Sequence, residues 1–76
     1  MFISVTLDIG NTRRDIRIDN GQKVKNAIAV LRQSGRLPMG EMPNYFRSFV
    51  SNRLISANKS FLEEEIYDGD ILSAVI

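Results

Sequence analysis

The 76-residue chain contains neither cysteine nor histidine. Without cysteine there can be no disulfide, thiolate nucleophile, iron–sulfur cluster or cysteine-based zinc site. Without histidine the commonest general base near neutral pH is missing. No apolar run approaches the ~20 residues of a membrane span. The opening Met1-Phe2-Ile3-Ser4-Val5 has no basic region and no cleavage site, so no signal peptide is expected. Asn58-Lys59-Ser60 matches a glycosylation sequon, which without a secretion signal is a chance match. These absences suit a cytoplasmic, non-enzymatic protein that uses no cofactor or metal and does not insert into membranes.

The composition that remains is 43% hydrophobic and 25% charged, which places the chain among ordered globular proteins. Its length predicts one domain over residues 1–76, with one small core. The net charge of +1 conceals a division. Five of the nine acids are Glu63, Glu64, Glu65, Asp68 and Asp70, which leaves four among residues 1–60 against all ten basic side chains.

Ile3, Val5 and Leu7 alternate with Ser4, Thr6 and Asp8, predicting a strand over Met1–Asp8. Gly10-Asn11-Thr12 is a turn, and Arg14–Asp19 a second strand with Ile16 and Ile18 inward. Val24, Ala27, Ile28 and Leu31 form one stripe of a helix at about 22–34, with Asp19 or Asn20 as its cap and Gly35 as its C-terminal stop. Residues 36–44 are a loop carrying both prolines, with Leu37, Met39 and Met42 expected against the core edge. It reads as a connection or as an adaptable Met-bearing contact surface. Tyr45–Val50 is a third strand, Ser51-Asn52 a turn and Arg53–Ser56 a fourth strand. Ser60 and Glu63 have the spacing of a capping box, so Phe61–Ile66 reads as one helical turn. Asp68-Gly69-Asp70 then turns the chain into a final strand, Ile71–Ile76.

Strands lead, one helix crosses them, and the first and last strands are apolar enough to pair in parallel at the centre. The fold class is therefore α+β: a β-grasp with a mixed sheet of four to five strands, one helix packed across it, and a short helical turn before the last strand.

The run Ser60-Phe61-Leu62-Glu63, Ile66, Asp68-Gly69-Asp70-Ile71-Leu72 resembles the capped turn and final-strand entry of ubiquitin-like domains. Within these, the opening Ile3, Val5, Leu7, Asp8 and the step Tyr45-Phe46-Arg47 are similar to the bacterial YukD/EsaB family of type VII (WXG100, ESX-like) secretion systems. The Arg32–Asn44 region does not match. The resemblance implies a cytoplasmic accessory or regulatory protein that binds components of the secretion machine. Conjugating and sulfur-carrier members act through a C-terminal Gly-Gly, whereas this sequence reads Ser73-Ala74-Val75-Ile76. No conjugation is expected, unless the chain is truncated before such a tail.

Three groups are candidate sites. If Arg47 points to solvent, so do Tyr45 and Phe49, with Phe46, Ser48 and Val50 inward. Ile71 and Val75 would share that outer face, with Phe49 near Val75, forming an apolar protein-binding patch of Tyr45, Phe49, Ile71 and Val75. A one-residue slip would instead bury Phe49. Arg13, Arg14, Arg17, Lys23 and Lys25 form a basic cluster that could take phosphate or an acidic surface, or serve only as a solvated hairpin tip. No aromatic residue is interleaved between Thr12 and Lys25, which argues against nucleic acid. The five acids from Glu63 to Asp70 lack calcium-loop spacing and read as helix-terminus and turn residues. Self-association is left open, through the outer strand of the hairpin or the short fourth strand.

Overall fold

The computed structural model describes residues 1–75. Ile76, expected to complete the inward face of the last strand, lies outside the described residues. The elements are β1 (Phe2–Ile9), β2 (Thr12–Asp19), α1 (Val24–Gln33), β3 (Tyr45–Ser48), β4 (Leu54–Ser56) and β5 (Ile71–Val75). They form one five-stranded sheet in the order β2-β1-β5-β3-β4. β1 and β5 run parallel at its centre, with Leu7 opposite Leu72, and the other pairs are antiparallel.

Strict alternation builds β1: Ile3, Val5, Leu7 and Ile9 are buried, while Phe2 and Ser4 are exposed. The hairpin turn is the pair Gly10-Asn11. Positive φ at Gly10 (+61°) and not at Asn11 is the type II′ arrangement, whose twist suits a two-residue hairpin. Both hairpin strands run slightly longer than expected at the turn. In β2, Ile16 and Ile18 pack against the core at half burial.

The apolar stripe of α1 is as read: Val24, Ala27, Ile28 and Leu31 are its buried residues. Its start is not. Neither Asp19 nor Asn20 caps it; the N-cap is Lys23, with no side-chain cap bond among the described residues. The first helical N–H groups donate instead to the backbone, Val24 to the Lys59 carbonyl (3.1 Å) and Lys25 to the Ala57 carbonyl (2.9 Å). Asp19 is occupied locally, accepting the Gly21 N–H at 2.9 Å. At the other end Gly35 takes φ +76°, the Gly35 N–H donates to Arg32 and the Arg36 N–H to Leu31, a Schellman closure.

The core lies between α1 and the inner sheet face. Leu7, Val24, Ile28, Phe46, Phe61 and Leu72 are fully buried there, each large side chain contributing roughly 1.5–3 kcal/mol of transfer free energy. Loop 36–44 is organised by Arg32. Its guanidinium donates to the carbonyls of Pro38, Gly40 and Glu41, each at 3.0 Å. Leu37 and Met42 pack on the core as expected, but Met39 is 80% exposed, in the stretch whose flanking carbonyls Arg32 holds.

The Ser60 capping box is present in both directions: the Glu63 N–H donates to Ser60 Oγ and the Ser60 N–H to Glu63 Oε1, each at 3.0 Å. Residues 61–65 form a single hydrogen-bonded turn rather than a helix. It closes with Glu65 at φ +57° and the Ile66 N–H on the Phe61 carbonyl at 2.9 Å.

Candidate protein-binding surface

The helix covers one face of the sheet, and the other face is turned outward. Strand pairing fixes which side chains share it. Tyr45 lies opposite Val75, and Arg47 opposite both Ser73 and Leu54. The Phe49 N–H continues the ladder to the Ile71 carbonyl at 2.9 Å. Tyr45, Phe49 and Val75 are exposed and Ile71 half-exposed, so the four predicted apolar residues do stand on one face.

Their arrangement differs from the expectation in two respects. Phe49 neighbours Ile71, not Val75. Because β3 and β5 are antiparallel, Tyr45–Val75 and Phe49–Ile71 sit at opposite ends of the pair, about 13 Å apart at ~3.3 Å per residue. Val50 does not point inward. β3 ends at Ser48, and Val50 is 70% exposed in the turn that follows. That turn is drawn away from strand geometry by Asp70. Buried at 3% exposure, its carboxylate accepts the Val50 N–H at 3.1 Å, the Ile71 N–H at 2.8 Å and the Ser48 hydroxyl at 2.5 Å.

Leu54 was missed. It is exposed across from Arg47, on the same face, and its signal was the buried Ile55 beside it. The apolar half of the outer face thus consists of Tyr45, Phe49, Leu54, Ile71 and Val75 around the cation of Arg47. Apart from the exposed Phe2, the other half, on β1 and β2, is polar. Arg13 pairs with Asp8 at 3.2 Å, Thr6 Oγ1 donates to Asp15, and the Arg17 guanidinium lies 5.7 Å from the Phe2 ring centre.

The predicted basic cluster is not brought together. Arg13 and Arg17 lie on the outer face, alternating with Asp15 and Asp19. Arg14 pairs with the inward Leu7 and donates to the Arg36 carbonyl at 2.7 Å on the helix side. Lys23 and Lys25 belong to the start of α1. Four of the five acids are structural. Glu63 caps Ser60, Glu64 accepts the Ser56 N–H, Asp68 accepts the Ser4 N–H at 2.6 Å, and Asp70 holds the β3–β4 turn. The Ser60 backbone N–H, and then the Ser60 hydroxyl, hold the Glu63 carboxyl below its usual value.

No protein-family model and no curated protein sequence matches the chain. Solved structures do match. The EccD5 ubiquitin-like domain of Mycobacterium xenopi aligns over 99% of this chain and 93% of its own, at 21% identity and a TM-score of 0.57. The C-terminal ubiquitin-like domain of mouse tubulin-specific chaperone e aligns over 96% and 84%, at 14% identity and 0.66. The chain has the ubiquitin-like β-grasp fold. The ubiquitin-like domain of Plasmodium falciparum Dsk2 also aligns, over 99% of this chain and 100% of that one, at 15% identity and a TM-score of 0.58. Among the described residues no helix of this ubiquitin-like domain is long and apolar enough to cross a membrane.

Proposed function

We infer that the chain is a non-catalytic protein-binding module, a cytoplasmic accessory or regulatory component of a bacterial type VII secretion system. The observation that carries the binding role is the outer sheet face. There Tyr45, Phe49, Leu54 and Val75 stand exposed around Arg47 on paired strands. Aromatic and arginine side chains on a rigid surface are what binding hot spots are made of. The secretion role rests on the resemblance of the Ile3–Asp8 opening and the Tyr45-Phe46-Arg47 step to the YukD/EsaB family. The likeness to the EccD5 domain points the same way.

The test is co-purification with the cytoplasmic parts of a type VII machine from the same organism. Phe49→Asp places a charge at the most exposed aromatic position, Phe49 being 75% exposed and outside the core. Recovery falls at least about tenfold, as for a hot-spot loss, with the circular dichroism spectrum unchanged. Full recovery by a folded Phe49→Asp protein would remove this surface from the reading. Genes for a secretion ATPase and WXG100 proteins beside this one are expected, and sulfur-transfer genes there would overturn the secretion role.

A further inference from the structure

The two edges of the sheet are unlike. β4 has three residues, and its Ser56 N–H is taken by the Glu64 carboxylate. β2 has eight residues and forms the opposite edge. Its pairing with β1 determines which backbone groups face outward. Ser4 and Thr6 donate their N–H groups away from β2, to Asp68 Oδ1 at 2.6 Å and to the Asp70 carbonyl at 3.0 Å. Residues directly opposite in an antiparallel pair face each other or face away together. Arg17, opposite Ser4, and Asp15, opposite Thr6, therefore direct their N–H and C=O groups to the open edge, and by alternation so do Arg13 and Asp19. The side chains of these four residues lie on the outer face with charges plus, minus, plus, minus along the strand.

We propose that β2 pairs antiparallel with β2 of a second copy, joining two sheets into one continuous sheet about a two-fold axis through Ile16. In that register Asp15 faces Arg17 of the second copy and Arg13 faces its Asp19, so each of the four outer charges meets its opposite. Sliding by one step in either direction sets Asp15 against itself with Arg13 against Arg17, or Arg17 against itself with Asp15 against Asp19. The charge pattern thus selects one register from those the backbone bonds allow. On the helix side Ile16 meets its own copy, and Ile18 lies against the stem of Arg14. Both isoleucines also line an open groove of about 650 Å³ between β2 and α1, with Ala27 and the exposed Val30 on its far wall. Inside each copy the Arg13–Asp8 pair, the Thr6–Asp15 bond and the contacts of Asp19 Oδ1 with the Gly21 N–H and the Met1 ammonium are exposed, and they leave these charges, with the second Asp19 oxygen, available to a neighbour.

Sedimentation equilibrium of the full chain, from micromolar to millimolar concentration at low salt, tests the pairing. The expected mass rises toward that of a dimer. Asp15→Arg and Arg17→Asp each create two like-charged contacts across the axis and weaken the dimer at least about tenfold. The double variant Asp15→Arg/Arg17→Asp restores opposite charges at every position and recovers the affinity. Circular dichroism melts confirm that each variant is folded. A chain that stays monomeric to millimolar concentration overturns the proposal. So does a dimer that both single reversals leave intact, or a double variant that associates no better than the singles. The pairing does not depend on the secretion role, and its failure would leave that reading untouched.

Discussion

Ser48 Oγ and Asp70 Oδ2 meet in the interior at 2.5 Å, joining the end of β3 to the start of β5 across 22 residues of sequence. The same carboxylate accepts the Val50 and Ile71 N–H groups, and Ser48 Oγ also accepts the Ser51 N–H at 3.2 Å. Asp70 is thus the hub that sets the β3–β4 turn. Asp70→Ala strands buried donors and is expected to cost about 3 kcal/mol, whereas Ser48→Ala removes one donor and costs about 1 kcal/mol. Urea melts of the two variants give the order, and equal losses would contradict it.

The capping box predicts a pH signature. The folded-state value of Glu63 is lowered by the Ser60 backbone N–H first and the Ser60 hydroxyl second. A group depressed in this way stabilises the fold fully above its ordinary value of 4.5 and loses that contribution as pH falls through the lowered folded value. Glu63→Gln retains the capping geometry but does not titrate. The stability difference between the native chain and Glu63→Gln is therefore flat above 4.5, changes as pH falls from there through the lowered folded value, and is flat again once both states are protonated. Paired melts between neutral and acidic pH measure it, and a flat difference throughout would refute the linkage.

Glu65 sits at φ +57°, where a side chain is strained. Glu65→Gly is expected to raise stability by up to about 1 kcal/mol, the relief of left-handed strain exceeding glycine's entropy cost. That corresponds to a few degrees in Tm for a domain of this size. A lowered Tm would show that the Glu65 side chain makes a compensating contact.

Arg32 holds loop 36–44 by three carbonyls at once. Arg32→Ala should cost about 1–2 kcal/mol and speed proteolysis between Leu37 and Pro43. Arg32→Lys should not restore protection, since a single ammonium cannot replace the guanidinium fork. Cleavage that is no faster in the alanine variant would mean the loop is held from elsewhere.

Much of this fold is legible locally. β1 and the inner face of α1 follow from the spacing of Ile3, Val5, Leu7 and of Val24, Ala27, Ile28, Leu31. The capping box is four residues long and needs no distant partner. What escapes a local reading is whatever a remote segment decides. The start of α1 is capped by Ala57 and Lys59 carbonyls, more than thirty positions downstream, so Asp19 and Asn20 are misleading cues. Val50 turns outward because Asp70 takes its N–H. The apolar surface was read correctly as to face, since alternation gives that, but not as to neighbours. Alternation is silent on register, and pairing of Tyr45 with Val75 places Phe49 at the far end. The dispersal of the five basic side chains has the same origin: Arg13 and Arg14 are adjacent in sequence and on opposite faces of a strand.

The position of β5 bears on how the molecule comes into being. It occupies the slot between β1 and β3, yet it is the last of the five strands to leave the ribosome. Until it arrives, the β1–β2 hairpin and the β3–β4 pair are two half-sheets with no backbone bonds between them, each showing an unsatisfied inner rim. Acquisition of the native state therefore waits on a late, long-range insertion, which makes it slower than a helical bundle of equal size and exposes the nascent chain to mispairing for that interval.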